Sequence, residues 1–338
     1  MQATDIFVIG GGPAGLATAI AARRKGLQVT LADGARPPID KACGEGLMPD
    51  GLAALRSLGI TIEAGEAHAF HGIRFVGAGV SVEAGFPEGY ALGVRRTVLH
   101  PKMIRAASAA GVRMLWGTTV TGICAEGVKL EGQTVPARWI VGADGFHSRV
   151  RRWAGLSACR LKPQRFGFRI HCRVAPWSDS MELHWGAGCQ IYVTPVSPEE
   201  VCVALISRDS HLRLDKALEQ FPELRARLGG ACRTTSERGA VTANCRLRRV
   251  WRDRVALVGD ASGSVDAITG EGLCQSFRQA IALADSLAMG TLAHYHALQA
   301  LAAQPGIFRN MLSMHVGVLS PVEFAASGCA LAWRMLIG

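Results

Sequence analysis

The sequence predicts an α/β fold: a parallel sheet assembled from segments far apart along the chain, interrupted by a β-sheet insertion and followed by a helical C-terminus. Three observations carry this. Residues 5–33 read as strand, glycine-rich turn, helix and strand. Two later apolar strands, 139–141 and 255–258, each run straight into a loop of glycine and aspartate. Between these segments lie short apolar runs separated by Gly and Pro, the pattern of antiparallel sheet.

The first unit sets the chemistry. Residues 6–9 form a short buried strand, Gly10, Gly12 and Gly15 fall in G-x-G-x-x-G spacing with Pro13 and Ala14 between them, and 17–24 continue as helix. In this order one glycine permits a tight turn, the next lets the backbone approach a pyrophosphate, and the third lets helix and strand pack closely. Orphan N–H groups at the helix start hold phosphate. Strand 29–32 ends on Asp33, an acid placed to accept hydrogen bonds from a ribose. The segment therefore predicts a dinucleotide site.

Beyond it, Pro37-Pro38 breaks regular structure, and Cys43-Gly44-Glu45-Gly46-Leu47 must be a loop able to come close to something flat or bulky. Residues 48–58 resume as helix, and 59–92 alternate short strands with turns. Residues 94–111 read as a helix with Leu99, Met103, Ile104 and Ala107 on one face. Strands are expected at 114–116, 120–124, 128–130 and 139–141, then at 166–174, 181–185, 190–194 and 201–207, with an amphipathic helix over 212–228 interrupted at Pro222. Arg246 to Arg254 is a basic turn before strand 255–258, and 273–289 is a long helix. A discontinuous nucleotide domain over 1–65, 93–158 and 245–290 follows, with a β-rich substrate domain from 66–92 and 159–244 and apolar helices over 291–338.

Composition narrows the class. The chain has 338 residues, 49% of them hydrophobic, enough for a sizeable core and against disorder. The net charge of +10 suits an anionic membrane surface, an acyl carrier or a phosphorylated cofactor. No nucleic-acid-binding motif is present, so nucleic acid is not an expected partner. The 10 cysteines form no C-x-x-C pair, which excludes a zinc ribbon or an iron–sulfur cluster of that spacing and favours free thiols in a reducing cytoplasm. No uncharged apolar run reaches the length of a spanning helix, and the first strand begins too early for a signal peptide. The expected location is cytoplasmic, with a peripheral contact at the inner membrane face left open.

Three loops now need one explanation: Gly10-Gly11-Gly12-Pro13-Ala14-Gly15, Gly142-Ala143-Asp144-Gly145, and Gly259-Asp260-Ala261 with Thr269-Gly270-Glu271-Gly272. The set resembles the FAD-dependent monooxygenase and geranylgeranyl reductase superfamily, with the p-hydroxybenzoate hydroxylase-like fold, from Asp5 to about Met289. The Cys43-to-Leu47 loop and the Gly270-Glu271-Gly272 form look more like the geranylgeranyl reductase branch, and no W-x-W-x-I-P motif of tryptophan halogenases occurs. The resemblance implies a Rossmann-like FAD-binding domain. FAD pyrophosphate would lie on Gly10, Gly12 and Gly15, with Arg96, Asp144 and Gly145 nearby. Asp33 would bind the adenosine ribose. Gly259 and Asp260 would meet the ribityl chain, and Gly270, Glu271, Gly272 and Leu273 the flavin pyrimidine edge. Val120 and the Cys43-to-Leu47 loop complete the expected FAD contacts. Where the superfamily has Asp after the Leu of its R-x-x-L helix, this chain has His100.

For catalysis the candidates are Cys43, as a thiol beside the flavin ring or simply a small buried residue, and Tyr192, on a strand resembling one that covers substrate in that branch. His68 and His71 have metal-like spacing but fall on an expected loop without a carboxylate partner, and no metal is expected. The resemblance implies an NAD(P)H-reduced oxidoreductase acting on an apolar, isoprenoid, lipid or polyketide-like small molecule by alkene reduction or dehydrogenation. Two alternatives stand beside it: a flavin C4a-hydroperoxide monooxygenase hydroxylating an aromatic or polyketide substrate, and a membrane-docked flavin electron carrier. Oligomeric state is open.

Overall fold

The computed structural model describes residues 3–77, 80–161, 164–243, 245–264 and 270–295. Its first sheet runs in the order Trp251–Arg252, Val255–Leu257, Gln133–Gly142, Thr4–Ile9, Val29–Asp33, Arg113–Trp116. All neighbours are parallel except the short outer hairpin of Trp251–Arg252 with Val255–Leu257. Apolar runs such as Ile6 to Ile9 form central strands because both faces are covered, one by helices and the other by strands Val120–Ile123 and Gly127–Leu130 with the short helix Arg149–Trp153, so no polar alternation is needed. Register places the site. Ile9 pairs with Ala32 on one side and Gly142 on the other, and Gly142 pairs with Leu257. Four strands thus end level, and the loops starting at Gly10, Asp33, Ala143 and Val258 emerge side by side at the carboxyl edge, where open α/β sheets bind ligands.

Helix Pro13–Arg24 begins with Pro at its first turn, where a missing N–H costs nothing, and has no acid in that turn. Its residues Leu16, Ile20 and Ala21 share a core with Phe277, Ala280, Leu283 and Leu287 of the helix Gly272–Ala288. Tyr295 fastens the end of the described chain by donating its hydroxyl to the Leu257 carbonyl at 2.7 Å.

The insertion is an eight-stranded sheet in the order Cys232–Arg233, Arg165–Arg173, Glu200–Ser207, Cys189–Ser197, Ser180–Gly186, Gly72–Gly77, Val80–Gly85, with Arg238–Thr242 also paired to Arg165–Arg173. One face carries Tyr192, Met181, Ala204 and Ile206, and the other carries Ile191, Val193, Val203 and Leu205. A small sheet of Gly46–Leu47, Ala91–Gly93 and His68–Phe70 bridges the two halves. It lies so close that a Cβ on Gly93 would stand 1.7 Å from the Pro195 carbonyl oxygen. The fold is therefore α/β with a discontinuous Rossmann-like domain and an inserted β-sheet.

Local readings change in four places. The helix expected over 212–228 is two short helices, Leu214–Ala217 and Pro222–Leu228, joined by a 3-10 turn at Leu218–Gln220, because Pro222 has no N–H to continue the ladder. In helix Arg96–Ala109 the fully buried side chains are Leu99, His100, Met103 and Ala107, while Ile104 is only half-buried. His68 lies on a strand and not a loop. The basic stretch 246–254 contributes to two strands, Cys245–Leu247 and Trp251–Arg252. The helices expected over 291–338 fall outside the described residues beyond Tyr295. Among the described residues no helix is long and apolar enough to cross a membrane.

Candidate active site

The glycine turn is held from three sides. Gly10 sits at φ +115°, and a Cβ there would lie 2.3 Å from the Ala143 carbonyl oxygen. A Cβ on Gly15 would lie 1.9 Å from the carbonyl oxygen of Gly10, so only glycine lets helix and strand meet. A Cβ on Gly12 would meet nothing within 4 Å, because that residue faces open space. Asp33 accepts the Gly11 N–H at 2.7 Å with one oxygen and the Ala35 N–H at 2.7 Å with the other. Behind the turn, His100 is buried. Its Nδ1 accepts the Ile39 N–H at 3.2 Å, which leaves the proton on Nε2 to donate to the Gly11 carbonyl at 2.8 Å. Burial keeps this imidazole below its usual pKa. A neutral strut thus stands at the position where the resemblance implies an acid.

The next two loops close beside it. Asp144 accepts the N–H groups of Arg149 (2.7 Å) and Val150 (3.1 Å) through Oδ2, while its buried Oδ1 has no partner. Arg151 donates to the carbonyls of Phe146 (2.6 Å) and Ala261 (3.3 Å), tying the second loop to the third. Gly259 sits at φ +62° and donates its N–H to Gln279 Oε1 at 2.9 Å. Asp260 reaches into the cleft, and desolvation by the surrounding protein raises its pKa despite the cations of Lys41 and Arg96. Arg96 opens its helix with Nε and Nη1 buried and unpartnered.

The Cys43-to-Leu47 loop meets the insertion here. Glu45 is buried, at φ +59°. Its Oε1 accepts the Arg96 N–H at 2.9 Å and its Oε2 the His171 Nε2–H at 2.6 Å. The Glu45 N–H donates to Cys43 Sγ at 3.3 Å, and burial pushes the Cys43 thiol pKa up, so the group is protonated at neutral pH. Glu45, His171 and Cys202 present ligand atoms within 4.8 Å of one another.

These parts surround a single cleft of about 870 Å³. Its walls include Gly10, Gly12, Pro13, Ala14, Asp33, Cys43, Gly44, Glu45, Gly46, Arg96, Val120, Asp144, Gly145, Gly259, Asp260, Gly270, Gly272, Leu273 and Tyr192. Asp33 and Asp260, far apart in sequence, border the same space. Gly15, Leu47 and Glu271 lie behind the wall, all three buried. Sequence reasoning missed Lys41, Arg149, Arg169, Phe168, Met181 and Gln279, which also line it. No local motif marks them: Phe168, Arg169 and Met181 arrive from strands whose pattern signals only burial, Arg149 and Gln279 from helices, and Lys41 from a loop.

The residues fit an FAD. Unpartnered Arg96 nitrogens, an unobstructed Gly12 and acid-free helix N–H groups suit a pyrophosphate. The cleft runs on from there to the apolar face of the inserted sheet, where Met48, Met181 and Tyr192 form its wall. A dinucleotide cradle opening onto such a wall defines an FAD-dependent oxidoreductase.

The comparisons agree. A family model described as an FAD binding domain matches residues 3–294, and the chain belongs to that family, in the superfamily of FAD-dependent monooxygenases with the p-hydroxybenzoate hydroxylase-like fold. It is similar to menaquinone reductase of Mycolicibacterium smegmatis, 28% identical over 322 residues, covering 86% of this chain and 78% of that protein. It is also similar to 6-methylpretetramide 4-monooxygenase of Streptomyces rimosus, 27% identical over 313 residues, covering 82% and 74%. Among solved structures, the flavin-dependent brominase Bmp2 superposes with a TM-score of 0.82 at 18% identity, over 99% of this chain and 93% of that one, a likeness of fold.

Proposed function

We propose that this FAD-dependent oxidoreductase is a monooxygenase-type enzyme, reduced by NAD(P)H and acting on an aromatic or polyketide-like molecule. The observation that carries the reading is the inner wall of the cleft. Met48, Met181, Tyr192, Ala204 and Ile206 line it together with Cys43 to Gly46, Met48 and Met181 packing directly against Gly46, an apolar surface that binds a flat ligand and keeps water away. The family membership and the monooxygenase relative support it. Bound FAD supplies the redox chemistry, accepting hydride and passing electrons to dioxygen.

The chain's own residues bind, orient and exclude. Backbone N–H groups after Gly12 and the Arg96 guanidinium hold the pyrophosphate, with Pro13, Ala14, Asp144 and Gly145 shaping its channel. Asp33, already clamping the glycine turn, offers its remaining lone pairs to the adenosine ribose. Asp260 accepts from the ribityl chain, and Val120, Gly259 and Leu273 border the cofactor. The N–H groups of Gly270 and Gly272, at the start of helix Gly272–Ala288, favour the negative charge of a reduced ring. Gly44, Glu45 and Gly46 would offer backbone to the flavin ring, and Tyr192 would orient substrate.

One observation favours a second reading, reduction of an isoprenoid or quinone-like alkene. Cys43 is a protonated thiol on the cleft wall, a proton donor of the kind such a reduction needs on the carbon beside hydride attack. The menaquinone reductase relative supports it. The separating experiment mixes the yellow protein anaerobically with NADPH, with and without candidate substrates, then admits 18O2 and analyses products by mass. Incorporation of one labelled oxygen is expected. A product gaining two hydrogens and no label overturns the monooxygenase reading in favour of the reductive one.

A further inference from the structure

We propose that His171 is a positioning residue for the flavin site, which holds the Cys43-to-Leu47 loop and the start of helix Arg96–Ala109 through the carboxylate of Glu45. His171 comes from strand Arg165–Arg173 of the inserted sheet, and Glu45 from the nucleotide-side loop. The bond joins the two halves of the molecule directly beside the cleft.

Its direction follows from its neighbours. A guanidinium only donates, so Arg169 Nη1, at 3.2 Å, makes His171 Nδ1 an acceptor. The Thr235 hydroxyl stands 3.0 Å from the same nitrogen and also accepts the His171 backbone N–H at 3.1 Å. The ring proton is therefore on Nε2, donated to Glu45 Oε2 at 2.6 Å. Arg169 is in turn locked by Asp40. The same donor set argues against a cation among Glu45, His171 and Cys202. The imidazole and carboxylate already satisfy each other, and the Arg169 charge sits against the ring.

The Glu45 carboxylate then acts on both sides of the cleft. Its second oxygen accepts the Arg96 N–H, and the Glu45 carbonyl accepts the Val94 N–H at 2.9 Å. Its φ of +59° is a conformation that residues other than glycine avoid, and it persists only where surroundings impose it. Glu45 and His171 are 2% and 1% exposed, so no water replaces a lost donor. Without the His171 proton the loop relaxes, carrying Cys43 and Gly44 out of the cleft wall and turning the first residue of the Arg96 helix. Strand Arg165–Arg173 also brings Phe168 and Arg169 to the cleft, so the same bond ties the substrate-facing wall to the cofactor loop.

The inference rests on the FAD assignment but not on which reaction the flavin performs. The test titrates apo-protein with FAD, following flavin fluorescence and the bound visible spectrum. His171→Leu, similar in volume but with no donor, is expected to raise the FAD Kd about tenfold or more and to shift the spectrum. His171→Gln, whose amide reaches the Nε2 position and still donates, is expected to stay within about threefold of wild type. A Leu variant within that range overturns the proposal, as does a Gln variant as weak as the Leu one, since both lose the same packing. If the Leu variant does not fold, Glu45→Gln decides. Its single amide oxygen cannot serve both donors, and wild-type FAD affinity there overturns the proposal. Wild-type protein that takes up no FAD overturns the cofactor assignment itself, a separate failure.

Discussion

Two glycines of the same turn are expected to fail in opposite ways. Gly12 has φ −73° and ψ 178°, a backbone any residue adopts, and nothing lies within 4 Å of the Cβ it would carry. Gly12→Ala should therefore leave the apo-protein as stable as wild type, or raise its stability by about 0.4–1 kcal/mol through the unfolded chain. The new methyl instead occupies the approach to the helix N–H groups, and FAD affinity should fall by about tenfold to a hundredfold, about 1.4–2.8 kcal/mol. Gly15→Ala places its methyl 1.9 Å from the Gly10 carbonyl oxygen and 3.2 Å from Ala143 Cβ. Helix Pro13–Arg24 must then back away from strand Thr4–Ile9, costing about 1–3 kcal/mol in the apo-protein as overpacking does. Urea unfolding of both apo-variants, with FAD titration of each, separates a glycine that serves the ligand from one that serves the fold. If Gly12→Ala destabilises the apo-protein as much as Gly15→Ala, or binds FAD like wild type, the assignment of the open face to phosphate is wrong.

Two pH dependences follow. Burial holds the pKa of His100 below the ordinary 6.5, despite its bond to the Gly11 carbonyl and the nearby Asp33 charge, with Arg96 adding to the depression. The unfolded chain therefore binds a proton that the folded one refuses, so stability is full above pH 6.5 and falls as pH drops toward the folded pKa. Urea midpoints from pH 8 to 5 should decline in wild-type apo-protein and decline less in His100→Gln, and equal slopes would remove His100 from the account. Asp260 runs the other way. Its side chain stands exposed in the apo cleft, yet the enclosing walls raise its pKa from the ordinary 3.8, so the folded state holds the proton longer and apo-stability decreases slightly as pH climbs through that window. Asp260→Asn should flatten this decline and bring a weaker FAD complex, and a variant that leaves both unchanged would place Asp260 outside the cofactor's reach.

Much of this was legible because the cofactor side is encoded locally. Gly10, Gly12, Gly15 and Asp33 lie within one strand–helix–strand unit, and their spacing is the geometry. The loops after Val141 and Val258 announce themselves by glycine and aspartate following apolar strands. The substrate side gives no such notice. His171 and Glu45 are 126 residues apart. Nothing in Arg169-Ile170-His171 distinguishes a strand with a polar face from one whose two polar residues turn inward against another part of the chain. His100 escaped for a related reason. Helical periodicity assigns the buried face by hydrophobicity and puts Ile104 there, yet His100 takes a place in it because both ring nitrogens find backbone partners, Ile39 N–H and Gly11 C=O, that no pattern along helix Arg96–Ala109 could reveal. A buried polar side chain is stable only where such partners exist. The residues that join the flavin cradle to the substrate wall are therefore the ones a pattern of apolar positions conceals.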